Sequence, residues 1–179
     1  MSINDNGIVD TLKQSHENGF RMLMMRYQEP VYWHIRRLVV SHDDAQDASQ
    51  ETFVRIYRSF GNYRGDCSLR SWIYRIATNE ALRIISKRRQ EVVSIESETT
   101  GVNLIQGDDY IDFSDQVAVK LQKAILLLPP KQQLAFNLRY YEELGFDEIA
   151  KIADSTPTSI KASYHVAKEK IIKYMNSTD

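Results

Sequence analysis

"FDEIAKIADSTPTSIKASYHVAKEKI", residues 146–171, reads as two helices set about a sharp corner. A short helix here presents Ile149, Ala150 and Ile152 inward, and the small Ala150 lets a following helix approach closely. The chain then turns at Asp154-Ser155, where aspartate is one of the few residues besides glycine that tolerates a left-handed backbone. Thr156 has the chemistry of an N-cap, and Pro157 falls at the first helical position. Ile160 reaches back into the core from the second helix. This pattern predicts a helix-turn-helix, whose second helix would lie in a DNA major groove with its first residues at base edges. Thr158, Ser159, Lys161, Ala162 and His165 stand on that exposed side. The competing reading is a plain helical hairpin that touches no DNA. The light charge of the second helix, with Ser163 and Val166 where arginines would strengthen phosphate contact, favours that alternative.

Outward from this corner, the 3.6-residue period dominates and no alternating strand emerges. The period predicts helices near 8–26, 29–41, 43–60 and 68–89, then near 116–128, 131–141, 146–153 and 157–174. "GNYRGDC" (61–67) breaks the pattern with two glycines and reads as a loop. "LPPKQ" (128–132) is a sharp corner, since proline starts helices but does not continue them. The expected fold is all-α: two small helical domains, 1–89 and 116–179, joined by a flexible acidic linker at 90–115.

The net charge of −1 conceals a segregation of sign. Residues 55–89 carry nine Lys/Arg against two Asp/Glu, whereas residues 90–115 carry seven Asp/Glu and no base. A uniformly solvated surface would interleave its signs. The basic block contains "SLRSWIYRIATNEALRIISKRR" (68–89), an amphipathic helix with Ser68 as N-cap. Leu69, Ile73, Ile76 and Ile84 should face the core; Arg70, Tyr74, Arg75, Thr78, Asn79, Arg83, Lys87, Arg88 and Arg89 should face out. Cationic side chains neutralise phosphates, an amide can read a base edge, and nearby aromatics offer stacking faces to unpaired bases. Tyr57, Tyr63, Trp72 and Tyr74 are concentrated here.

Just upstream, "DDAQDASQETF" (43–53) gathers acidic side chains with no base among them. On a helical wheel Asp43, Asp44, Asp47, Gln50 and Glu51 share an arc of about 120°, opposite Ala45, Phe53, Ile56 and Phe60. Beside a surface for DNA, a negative face suits a basic protein partner, with complementarity setting register and on-rate. A merely solvated face, with aspartates favouring the helix start, is the alternative.

In this order the parts resemble a known family. Residues 43–89, with D-A-x-D-x-x-Q-E-x-F followed by S-x-R-x-W-I-Y-x-I-A-x-N, closely resemble region 2 of bacterial sigma factors of the extracytoplasmic-function group of the sigma-70 family. "LPPKQQLAFNLRYYEELGFDEIAKIADSTPTSIKASYHVAKEKI" (128–171) resembles region 4. The resemblance implies a factor that binds core RNA polymerase, on the β′ coiled coil and the β subunit, and directs it to promoter DNA. It implies that Asp44, Asp47, Gln50 and Glu51 dock on the β′ coiled coil. Tyr63, Arg64, Trp72, Arg75, Asn79, Arg83, Lys87 and Arg88 would then engage the −10 element, the 61–67 loop capturing a flipped base. Thr158, Ser159, Lys161, Ala162 and His165 would read the −35 element. The linker stands in place of region 3 of primary sigma factors. An anti-sigma protein is an expected partner. The family often has basic residues at the positions of Ser163 and Val166, and glycine at that of Thr158.

Other classes fit less well. A self-sufficient helix-turn-helix regulator, with a sensing N-terminal half, would leave the acidic face without a purpose. His16, His34, His42 and His165 are scattered, and no nucleophile–base pair, phosphate loop or metal spacing occurs, so neither catalysis nor a metal or cofactor is expected. The single cysteine, Cys67, excludes an internal disulfide. No apolar run nears the roughly 20 residues of a membrane span, and the N-terminus lacks a signal pattern, so a cytoplasmic protein with no membrane insertion is expected.

Overall fold

The computed structural model describes residues 4–93 and 115–177, apart from the side chains of 89–93. Most of the expected linker, 94–114, lies outside the described residues. Every regular element described is helical: α1 (Asp5–Gln14), α2 (His16–Val39), α3 (His42–Ser59), a 3-10 turn (Phe60–Asn62), α4 (Leu69–Val93), α5 (Gln116–Leu126), α6 (Pro130–Tyr140), α7 (Phe146–Ile152) and α8 (Pro157–Asn176). The all-α expectation is borne out. Packing divides the chain into two compact units, Met1–Glu91 and Val92–Asp179.

In the first unit, the break between α1 and α2 departs from the periodicity reading. That reading starts a helix at 8 and breaks it near 27–28, before Pro30. Instead, Asn4 caps α1, and the Ser15 side chain accepts from Asn18 N–H to cap α2, which runs unbroken through Pro30. A proline inside a helix costs about 3 kcal/mol. The buried stripe Leu23, Tyr27, Val31, Ile35 and Leu38 continues on both sides of it and offsets that cost. α1 and α2 meet where a Cβ on Gly19 would sit 2.4 Å from the Leu12 nitrogen, so only hydrogen fits. The Tyr27 hydroxyl donates to Asp5 at 2.7 Å, and Arg26 pairs with the same carboxylate at 3.0 Å. Burial, then that hydrogen bond, push the Tyr27 phenol up.

Between α2 and α3 the chain reverses in three residues. Val40 has φ 65° and ψ −37°, and Ser41 N–H donates to the Val39 carbonyl at 2.8 Å. This is a γ-turn with positive φ at its centre, a strained conformation and an unusual one for a β-branched residue. Ser41 then caps α3 through Asp44 N–H.

The second unit is built on α8. Ala124, Ile125, Leu128, Phe136, Ala167 and Ile171 form one cluster of its core, with Tyr141 and Tyr164 packed against them, and Leu138, Leu144, Ile149 and Ile160 are also buried. The corner between α7 and α8 is the one expected. Asp154 is left-handed at φ 49°, and Ser155 N–H donates to the Ala150 carbonyl at 2.9 Å. That i−5 bond closes the helix end and satisfies a carbonyl that would otherwise be orphaned. Thr156 accepts from Ser159 N–H at 3.2 Å, and Pro157 opens α8.

Candidate protein and nucleic-acid interfaces

α3 divides its surface as the wheel requires: Ala45, Phe53, Ile56 and Phe60 are buried, and Asp43, Asp47 and Gln50 are exposed. The acidic face is not uniform, however. Asp44, half-buried, pairs with Arg88 at 2.5 Å. Glu51 pairs with Arg55 at 3.2 Å, and Arg55 also reaches Glu80 on α4 at 2.6 Å. Glu80, a buried carboxylate, holds Arg83 at 2.9 Å. A chain of alternating charge, Glu51–Arg55–Glu80–Arg83, therefore runs from one face to the other. Asp43, Asp47 and Gln50 are the members of this face turned to solvent. Gln50 also borders an apolar groove of about 1060 Å³ between α2 and α3, lined by Phe20, Met24, Tyr32, Phe53 and Tyr57.

On the other face, Arg75, Asn79 and Arg83 recur at four-residue steps along α4 and are exposed, as are Lys87 and Arg64. The loop before α4 is organised by aromatics. The Tyr63 hydroxyl donates to the Cys67 carbonyl at 2.8 Å, and the Tyr63 ring lies 5.3 Å from Trp72 and 5.9 Å from Phe60. Burial pushes the Tyr63 phenol up. Gly65 has φ 80°, which a side chain would resist. Tyr63 and Trp72 are both half-buried, so each keeps part of its ring open. Ser68 caps α4 by accepting from Ser71 N–H at 3.1 Å.

Two residues expected on this face are not there. Tyr74 and Thr78 are 1% exposed. They face His34, buried on α2: its Nε2 lies 2.8 Å from the Thr78 hydroxyl, and its ring lies 5.1 Å from Tyr74. Burial, with Arg37 adding to it, lowers the His34 pKa to about 3, so the ring is neutral. α4 thus carries a second buried stripe, and a polar one, which an apolar-periodicity argument passes over. Arg55 and Glu80 also escaped the sequence reading. The i, i+3 and i, i+4 spacings of Glu80–Arg83 and Glu51–Arg55 were their only local signal.

In the second unit, Thr158, Lys161, Ala162 and His165 are exposed on α8. Ser159 is half-buried, and its hydroxyl bonds Lys131 Nζ at 2.8 Å. Among the described residues no cluster of His, Cys, Asp or Glu suits a metal ion, and no helix is long and apolar enough to cross a membrane.

Comparison with known proteins agrees with this division. The model for sigma-70 region 2 matches residues 23–91, and that for sigma-70 region 4 matches residues 118–171. The RNA polymerase sigma-H factor of Pseudomonas aeruginosa is 26% identical, over 94% of this chain and 92% of its own. The ECF RNA polymerase sigma-E factor of Escherichia coli K12 is 28% identical, over 94% and 93%. Among solved structures, the Bartonella quintana sigma factor RpoE, in complex with the anti-sigma factor NepR, superposes with a TM-score of 0.71 at 19% identity, over 89% of this chain and 98% of that one. CnrH, in complex with the cytosolic domain of CnrY, gives 0.72 at 14% identity, over 98% and 99%.

Proposed function

The chain belongs to the sigma-70 family, in its extracytoplasmic-function group, and from that premise we propose how its surfaces divide the work of promoter-directed initiation. The factor binds core RNA polymerase and directs it to promoters. The observation that carries the division is the opposition of charge on one small bundle, with the solvent-facing Asp47 and Gln50 on α3 and the Arg75–Asn79–Arg83 row on α4. An acidic face repels DNA and attracts a basic protein surface. A cationic row beside half-open aromatic rings attracts phosphates and stacks unpaired bases.

In this reading Asp44, Asp47, Gln50 and Glu51 dock on the β′ coiled coil. Tyr63, Arg64, Trp72, Arg75, Asn79, Arg83, Lys87 and Arg88 engage the −10 element. The exposed start of α8, with Thr158, Ser159, Lys161, Ala162 and His165, reads the −35 element. A protein antagonist would compete for the same surfaces, and the Bartonella quintana structure described above is of a sigma factor held by an anti-sigma factor. Such a factor performs no chemistry of its own and works in the compartment where polymerase meets DNA.

Transcription with purified core polymerase over a promoter library tests the whole reading. Specific transcripts should require both the factor and the polymerase. Tight operator binding by the free protein, with no effect on polymerase, would identify a self-sufficient regulator instead.

A further inference from the structure

The recognition helix is short of positive charge where it meets DNA. Of the side chains exposed on its first turns, Lys161 is the one that carries a full charge, and Ser163 and Val166 follow it. Phosphate neutralisation supplies nearly all of the non-specific affinity of a protein for DNA and a large share of the specific affinity. The deficit therefore asks for a cation from another element.

Lys131 meets that need. The paired prolines Pro129 and Pro130 start α6 and fix the backbone that leads into it. Lys131, in the first turn, reaches across to α8 and bonds the Ser159 hydroxyl at 2.8 Å. Gln132 beside it accepts from Lys170 at 3.0 Å, a second tie between α6 and α8. The Lys131 ammonium makes no ion pair with a carboxylate among the described residues, so its charge is not neutralised there. An ammonium has three donors, and the serine takes one, which leaves two for an acceptor in front of the helix start.

We propose that Lys131 is a DNA-backbone contact of the −35 reading surface, donating to a phosphate while it holds Ser159 in register. This rests on the sigma-factor reading above. It extends the surface from one helix to two, and it places the missing positive charge on α6. A phosphate contact positions the helix without discriminating between sequences.

The test uses the full-length factor in complex with core polymerase, binding a promoter fragment at 0.05–0.2 M salt. Lys131→Ala should weaken binding by a similar factor whichever base pairs occupy the −35 element. It should also flatten the slope of log K against log salt by about 0.9, so that its deficit against wild type shrinks about 3.5-fold across that fourfold salt range. Lys131→Arg should restore both affinity and slope. Ser159→Ala, which removes the tie and keeps the ammonium, should leave the slope at its wild-type value. A wild-type slope for Lys131→Ala would overturn the proposal and leave the lysine as an internal tie between two helices. A wild-type complex that bound no promoter would instead overturn the sigma-factor reading, and the inference with it.

Discussion

Arg55 Nε and Glu80 Oε1 lie 2.6 Å apart across the packing of α3 on α4, with the carboxylate 4% exposed. The arginine is half open to solvent, and the glutamate is not. Removing the carboxylate charge therefore strands less than removing a fully buried pair would, because both arginine partners can hydrate. Glu80→Gln should lower stability by about 2 kcal/mol, in the range for hydrogen bonds to charged groups. Urea unfolding measures it. A change below about 0.5 kcal/mol would mean that the four-residue charge chain contributes nothing to the bundle.

Asp47 and Gln50 offer a cleaner probe of polymerase docking than Asp44 or Glu51, whose carboxylates are already engaged by arginines. Asp47→Lys with Gln50→Lys should reduce affinity for core polymerase by roughly a hundredfold, since like charges facing each other cost several kcal/mol. Both positions are exposed, so stability should move by no more than about 0.5 kcal/mol. Unchanged affinity in a folded variant would remove this face from the docking surface.

The two DNA surfaces should separate by promoter element. Asn79→Ala should cost about 1–3 kcal/mol of base discrimination at the −10 element if its amide reads a base edge. Lys161→Ala should act on the −35 element. Transcription from promoters altered in one element at a time distinguishes them. An equal loss on every promoter would make either residue a phosphate contact and not a reader.

His34 gives the first unit an acid sensitivity with a defined sign. Its folded pKa of about 3 lies below the ordinary histidine value of 6.5, so the unfolded chain binds the proton more readily. The stability contributed by the neutral ring is complete above pH 6.5 and falls as the pH drops toward 3. By pH 4.5 the loss should approach roughly 2–3 kcal/mol. His34→Gln keeps hydrogen-bonding capacity toward Thr78 and does not titrate. Thermal melts of both proteins between pH 7 and 4.5 should show a shallower decline for the variant, and parallel declines would place the sensitivity elsewhere.

At Val40 the usual order of alanine and glycine should invert. In ordinary backbone, glycine is less stable than alanine by about 0.5–1 kcal/mol. At φ 65° any Cβ is strained, so Val40→Gly should be more stable than Val40→Ala by about 1 kcal/mol. Melting temperatures of the pair decide it, and the ordinary order would mean that the turn relaxes without cost.

The parts of the fold legible in the sequence were those decided by local chemistry. Asp154, Thr156 and Pro157 are three consecutive solutions to one backbone problem, and the corner forms where they stand. Ser68 caps α4 for the same reason. The boundary of α2 was not legible, because Pro30 is outweighed by side chains up to two turns away on each side. At the site, exposure of the Arg75, Asn79 and Arg83 row followed from helical period alone. The burial of Tyr74 and Thr78 depended on a histidine 44 residues from Thr78 that needed a hydrogen-bond partner. Which arginines were already engaged depended on carboxylates brought up by another helix, as with Asp44 and Arg88.

The aromatic cluster at the α4 loop has an optical consequence. The protein has two tryptophans, and Trp72 is the one seated against Tyr63 and Phe60 at the proposed base-capture site. Indole emission responds to whatever stacks on the ring. Trp33, on α2 beside Tyr32, contributes the background signal. With Trp33 replaced by phenylalanine, the remaining tryptophan is the one in the first turn of α4, packed against the loop. The entry of an unpaired base can then be followed in real time from the intrinsic emission of the protein, with no dye attached to either partner.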